Sequence, residues 1–267
     1  MEQTDKVYLY GASGHAKVVM DIAKLTYVDV PCLIDDNQQV NELAGKPVVH
    51  SADGLSPMII TIGDCQIRRK VAQKLSAREY LTVIHTSAVK ADSVKIGYGT
   101  VVMAGAIMNP YVEVGNHCII NTGASLDHDV KVGDFVHIAP HCTVCGGAEI
   151  GEGTWLGAGT TVIQGIHIGK NCYIGAGSVV VKDIPDGCLA YGNPCRIVKI
   201  VNQDMKENSR TQLSGGGKNQ FRVNFVDFWR DSAKQVSLMA FAASKVESLE
   251  FRVTLGCKPS CEWRVAA

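Results

Sequence analysis

The chain has 267 residues, and its 26 lysines and arginines are balanced by 26 aspartates and glutamates. No run of like charge stands out, which argues against a polyanion or an anionic membrane as partner and favours a small-molecule ligand. No stretch approaches the roughly 18 apolar residues that a membrane span needs, and the opening MEQTDKVYLYG enters a strand-like run without a basic and apolar leader, so a cytoplasmic protein of two domains is expected.

From Lys6, KVYLYGASGHAKVVMDIA predicts a short strand, a glycine turn and an amphipathic helix whose apolar side carries Val18, Val19, Ile22 and Ala23. The helix would begin near Gly14, where its free amides and dipole can hold an anion such as a diphosphate. Only Gly11 and Gly14 of a dinucleotide fingerprint are present, so the turn reads equally as a plain strand-to-helix connection. The next strand, VPCLIDD, ends in Asp35 and Asp36, where a mononucleotide fold places groups that meet a ribose or base. A further strand, MIITIG, ends at Gly63 and leads into the helical DCQIRRKVAQKL. Three strand ends thus converge on one crevice in a small Rossmann-like α/β domain spanning residues 1–85.

From Ile96 the chain repeats with a period of six. Ile96, Val102, Met108, Val114, Ile120 and so on to Val180 are all aliphatic at that spacing, and the position four residues after each, from Thr100 to Ser178, holds only small or apolar side chains. Glycine is common directly after the aliphatic residue, as at Gly97, Gly115 and Gly133, where sharp turns are expected. Such hexads mark a parallel β-helix, of the left-handed triangular form, in which three hexads, 18 residues, make one coil. Residues 96–185 would form five coils within a domain spanning 86–200.

The same register places Cys118, Cys142 and Cys172 at inward positions, so these thiols read as core. The closest cysteine spacings, Cys142/Cys145 and Cys257/Cys261, do not make a paired zinc framework. A metal-binding β-helix of the carbonic-anhydrase type would stack histidines, yet none of His85, His117, His128, His137, His141 and His167 are a multiple of 18 apart. No metal is expected. His128 lies in Asp-His-Asp, where a neighbouring carboxylate either tunes a general base or simply pairs with an exposed histidine. His137 is half a coil further on and points from nearly the opposite side of the prism. If the two act together, the site lies between subunits, as in a cyclic trimer.

YGASGHAKVV, LIDD, TIGDCQIRRK, NTGASLDHD, GDFVHIAPHC and YGNPCRIVK together resemble the bacterial sugar acyltransferases, which include sialic acid O-acetyltransferases and the UDP-4-amino-sugar N-acetyltransferase of bacillosamine biosynthesis. The resemblance covers about residues 5–200. It implies acetyl-CoA as co-substrate, a nucleotide sugar as acceptor and a homotrimer with sites between subunits. His128 would then be the base that takes a proton from the sugar amine or hydroxyl, and Asp129 would raise its basicity. His137 would contact acetyl-CoA, Gly146 would offer its backbone N–H to the thioester oxygen, and Ala158 and Ala176 would line the pantetheine channel. Asn121 would help seat the sugar. Ser13, Gly14 and His15 would meet the diphosphate and sugar, with Asp35, Asp36 and Gly63 around the base and ribose. ASGH with DD favours the UDP-4-amino-sugar branch over sialate O-acetylation, and a non-catalytic assembly subunit or sugar-nucleotide sensor is the reading from another class.

The resemblance ends near residue 200. Residues 201–267 begin as a polar, glycine-containing linker and continue with apolar groups such as Phe225, Phe228 and Trp229 but no hexads. They read as an accessory module or as non-native sequence, and removal of residues after about 205 is expected to leave acetyl transfer intact.

Overall fold

The computed structural model describes residues 6–75 and 79–200; residues 201–267, and the expectations placed on them, lie outside the described residues. The N-terminal part is a five-stranded sheet of β1 (Tyr8–Tyr10), β2 (Leu33–Ile34), β3 (Glu42–Leu43), β4 (Lys46–Val49) and β5 (Met58–Ile60) in the order β3-β4-β2-β1-β5. Strand β1 runs parallel to both neighbours, with Tyr10 opposite Ile34 and Ile60, and only β3 is antiparallel. Side chains alternate across the sheet as strand geometry requires. Leu9, Leu33, Val48 and Ile59 pack towards α1 (Gly14–Leu25), while Tyr8, Tyr10, Ile34, Met58 and Ile60 pack towards α2 (Cys65–Lys74).

Helix α1 buries Ala16, Val19, Ile22 and Ala23, as its periodicity predicts except at Val18, which is exposed. The buried stripe packs not only on the sheet but also on Val83, Val101 and Ile119 of the following domain. Because α1 leads from β1 to β2 on one side while β5 lies on the other, the strand ends part around β1, the place where open α/β sheets hold ligands.

The rest of the described chain is a left-handed β-solenoid of two-residue strands forming three parallel faces. Face one stacks Val83, Val101, Ile119, His137, Trp155 and Tyr173. Face two stacks Val89, Ile107, Ser125, Thr143, Thr161 and Val179, and face three stacks Lys95, Glu113, Lys131, Glu149 and His167. Each of these residues lies 18 positions from its stacked neighbour. The series begins at Val83, earlier than the aliphatic run suggests, because Lys90 occupies an inward-series position and is exposed.

Inside the prism the aliphatic series from Val102 to Val180 is buried throughout, as is the second series from Thr100 to Ser178. Polar members of the second series are satisfied locally. Thr100, Cys118, Cys142 and Thr154 donate to the carbonyls of Gly115, Gly133, Gly157 and Gly169 at 2.8, 3.0, 3.1 and 2.7 Å. The eight described cysteines are free thiols.

The corners correct the expected role of the glycines. Positive φ falls three residues after the aliphatic position, as at Gly99, Gly123 and Gly159, and Tyr111, His117, Asp129, Phe135, His141 and Asn171 adopt it without glycine's freedom. Gly97, Gly115 and Gly133 have ordinary φ and are small for another reason. A side chain there would run into the backbone or side chain of the next coil.

On face three, Lys95 pairs with Glu113 at 2.7 Å, and Glu149 pairs with Lys131 at 3.1 Å and His167 at 3.5 Å. At the far end the period breaks: Tyr173 pairs with Leu189, and a strand at Arg196–Ile200 turns back antiparallel to Cys188–Tyr191 with an irregularity between Leu189 and Ala190. Leu156 is fully buried in the middle of the prism. Leu156→Ala is expected to lower stability by about 2–5 kcal/mol, read as a fall in the urea midpoint.

Candidate active site

His128 sits on the corner between faces two and three, just after the strand Ser125–Leu126. Its Nδ1 lies 2.8 Å from Asp129 Oδ2, and Asp129 holds this geometry from a left-handed backbone with φ 61°. A carboxylate accepts, so Nδ1 carries the proton and Nε2 keeps its lone pair. Nε2 has no hydrogen-bond partner among the described residues, and the side chain is 62% exposed. Asp129 first, and Asp127 second, hold the imidazole pKa above its ordinary value.

Asp127 is itself fixed. Its Oδ1 accepts from Asn109 Nδ2 at 2.8 Å and from the His128 backbone N–H at 2.9 Å, and the Gly146 N–H leans on the same carboxyl, which is held below its usual range with Asn109 as the main cause. Gly146 lies one coil above His128, as the 18-residue count requires, and a Cβ there would stand 2.6 Å from both Cε1 and Nε2 of the imidazole. Asn109 was not singled out by sequence, although its 18-residue offset from Asp127 was available as a signal.

His137 is placed differently. It lies on face one, 6% exposed, against the N-terminal domain. Its Nδ1 is 3.1 Å from the Gly63 carbonyl and its Nε2 is 3.1 Å from Asn121 Nδ2. Asn121 Oδ1 accepts the Thr122 N–H at 2.8 Å, which orients the amide, so Nδ1 is the protonated nitrogen and Nε2 the acceptor. Burial, and then Arg68, push the His137 pKa down to about 3. Its ring packs on Trp155 at 4.5 Å, and Trp155 on Tyr173 at 5.4 Å, an aromatic column along face one. Ala158 and Ala176 are exposed and stacked on the corner between faces one and two, near the end of the strand that leads to Asn121. His141 turns its ring onto Gly123 at that corner.

In the N-terminal crevice Ser13 occupies the N-cap position of α1 without a side-chain cap bond, and both it and Gly14 are exposed. His15 keeps Nε2 buried without a partner among the described residues, and burial followed by Arg68 pushes its pKa down to about 4. Asp35 accepts the Ala12 N–H at 2.7 Å and the Asn37 N–H at 2.9 Å, so it braces the glycine turn. Asp36 accepts from Tyr10 at 2.8 Å, the chief reason its carboxyl is held low, and from Lys74 at 3.3 Å. The Gly63 carbonyl accepts from both His137 and Arg68. Gly63 and His137 are therefore in contact, whereas His128 lies on another edge of the prism.

Sequence reasoning missed Arg68, which is 1% exposed. It falls on the buried stripe of α2 with Cys65, Val71 and Ala72, so a charge on an apolar face was the signal. Among the described residues no group of three metal-ligating side chains could hold a metal ion. No helix among them is long and apolar enough to cross a membrane.

A family model described as the PglD N-terminal domain matches residues 6–75, and one described as bacterial transferase hexapeptide (six repeats) matches residues 147–182. Perosamine N-acetyltransferase from Caulobacter crescentus, solved as a histidine-to-asparagine variant with CoA and GDP-perosamine, is 37% identical over 73% of this chain and 97% of its own, with a TM-score of 0.70. The chain belongs to the left-handed β-helix sugar N-acetyltransferases. Within this family it also resembles the acetyltransferase domain of PglB from Neisseria gonorrhoeae in complex with acetyl coenzyme A, at 32% identity over 73% of this chain and all of that one, TM-score 0.69. WeeI from Acinetobacter baumannii is 27% identical over 72% and 99% of the two chains, TM-score 0.58. A curated relative, uncharacterized protein L142 of Acanthamoeba polyphaga mimivirus, is 35% identical over 98 residues, a match spanning only 20% of that protein. Membership of the acetyltransferases sets aside the non-catalytic reading.

Burying neutral imidazoles has a cost in acid. His15, His117 and His137 have folded pKa values of about 4, 4 and 3, below the ordinary 6.5. A depressed folded pKa means that the unfolded chain binds the proton first. Stability is therefore complete above about pH 6.5 and falls as pH drops towards 4 and 3, a decline that urea midpoints measured from pH 7.5 to pH 5 are expected to show.

Proposed function

We propose that the protein transfers the acetyl group of acetyl-CoA to the amine of a nucleotide-linked 4-amino sugar, with His128 as general base. The observation that carries this reading is the His128 imidazole itself. Its Nδ1–H is held by Asp129 at 2.8 Å, its Nε2 is unpartnered, and Gly146 leaves room beside it. As the amine nitrogen attacks the thioester carbonyl, Nε2 takes the amine proton; the tetrahedral intermediate then collapses, the C–S bond breaks, and the CoA sulfur leaves as a thiolate that takes the proton back from the imidazolium. Asp129 supports the imidazolium that forms. The Gly146 N–H is the group we assign to the developing oxyanion; it leans on Asp127 in the free protein and would have to turn from that carboxyl to the substrate oxygen, where such a donor is worth roughly 3 kcal/mol. Direct transfer with both substrates bound needs no cysteine nucleophile, in keeping with the inward thiols of Cys118, Cys142 and Cys172.

The acceptor is assigned to the N-terminal crevice. Uncapped first-turn amides at Ser13, Gly14 and His15 suit a diphosphate, and Asp35, Asp36 and Gly63 surround the place for base and ribose. Asn121 would seat the sugar, with His137, Ala158 and Ala176 on the acetyl-CoA side. Family membership supports an amine over a hydroxyl acceptor. A UDP-linked sugar follows from ASGH and DD, and GDP-perosamine, present in the Caulobacter structure, is the second acceptor to assay.

A homotrimer joins these parts. Face two presents uncharged Val89, Ile107, Ser125, Thr143, Thr161 and Val179, whereas face three is charged and face one carries the N-terminal domain at its lower coils. Face two is bordered by the His128 corner on one side and the Asn121, Ala158 and Ala176 corner on the other. With face two turned to a threefold axis, the base of one subunit meets the opposite corner of the next. A cytoplasmic location accords with an activated sugar as substrate.

Purified protein is expected to acetylate a UDP-4-amino sugar, and His128→Ala to lower kcat by about a hundredfold or more. Equal rates for the two proteins would remove His128 from the chemistry. Gly146→Ala should approach that loss by displacing the imidazole. Because the base must be unprotonated and Asp129 raises its pKa, kcat/KM is expected to rise with pH through a value above the ordinary 6.5. A flat profile there would contradict the assignment.

A further inference from the structure

We propose that Arg68 is a positioning residue that couples the acceptor crevice to His137, by locking the Gly63 carbonyl between its own guanidinium and the imidazole. The proposal rests on the reading of the crevice as the acceptor site, and it adds a residue that touches no substrate.

The guanidinium has five N–H groups, and five backbone carbonyls receive them. Nε donates to His117 at 2.7 Å; Nη1 donates to Ile62 at 2.7 Å and Gly63 at 2.9 Å; Nη2 donates to Phe135 at 2.8 Å and Val136 at 3.3 Å. Two of these carbonyls belong to the loop that closes the crevice after β5, and three belong to neighbouring coils of the solenoid. No described carboxylate lies within ion-pair distance, so the charge is held chiefly by carbonyl dipoles, with Cys65 Sγ a further acceptor from Nη2 at 3.7 Å. A group serving only to stabilise the core could be apolar at less desolvation cost.

The Gly63 carbonyl is the shared element. It accepts from Arg68 on one side and from His137 Nδ1 on the other, which leaves His137 Nε2 as the acceptor for Asn121. Movement of the Gly63 loop, as when a nucleotide enters beside it, therefore acts on the His137 hydrogen bonds through a single peptide oxygen. Lysine cannot replace this arrangement, because its three donors radiate from one nitrogen and cannot span five carbonyls.

The first test uses the unaltered chain labelled with 15N. Ring correlations are expected to show His137 as the neutral Nδ1–H form, and titration with UDP should move the His137 Nδ1–H and Arg68 Nη1–H resonances with one midpoint. An unprotonated Nδ1, or a His137 that ignores UDP while Arg68 responds, would overturn the proposal without any variant having to fold. The second test is a double-variant cycle on acetyl transfer. Arg68→Lys alone is expected to lower kcat/KM by about tenfold to a hundredfold, and to add less than about twofold in a His137→Asn background. Losses that multiply fully would overturn the coupling. A chain that transfers no acetyl group would instead defeat the functional reading, and the ring measurement would still decide the Arg68 contact.

Discussion

The backbone ladder that ties each residue to the one 18 positions away is the constraint on which the rest depends. Strands only two residues long contribute little singly, and none would persist alone. Repeated on three faces they fix the length of every coil, so that inward positions must be filled at constant spacing and each corner must reverse at the same residue. Ser125 sits over Ile107, and Gly146 over His128, for the same reason. The proposed base owes its surroundings to this alignment: Asn109 stands one coil below Asp127 and Gly146 one coil above His128 because the ladder permits no other arrangement.

This regularity is why so much is legible in the sequence. The aliphatic series, the burial of the cysteines and the separation of His128 from His137 all follow from counting. What counting could not supply is where the period weakens or where two domains meet. Lys90 hides the first coils because a solenoid end tolerates a polar residue that its middle does not. The turning residue was misplaced because glycine serves two purposes in each hexad, reversal at Gly99 and close approach at Gly97, and composition alone cannot separate them. Arg68 escaped notice because its partners are main-chain oxygens, which no residue type announces. The three strand ends do lie side by side as read from the chain, yet the tie from Asp35 to Ala12 depends on where a side chain turns after β2.

The electrostatics divide the histidines into two kinds. His15, His117 and His137 are buried within reach of one guanidinium, and both effects favour the neutral ring. His128 stands in solvent between two carboxylates, which favour its charged form. One fold thus keeps several imidazoles neutral, His137 with both ring nitrogens hydrogen-bonded, while leaving another free to exchange protons. The difference arises from burial: His15 lies on α1 and His117 and His137 are covered on the prism, whereas His128 stands exposed on its corner.

The broken period at the end of the solenoid bears on a different hazard. A stack of identical coils is an open template, able in principle to accept another chain's strands and grow into a fibre. Here the last coil among the described residues is short, its pairing is irregular between Leu189 and Ala190, and the strand after it runs the opposite way with Arg196 and Lys199 along it. A parallel coil arriving at that end meets the wrong direction, a distorted register and two positive charges. Within the described residues the repeat is thereby brought to a stop.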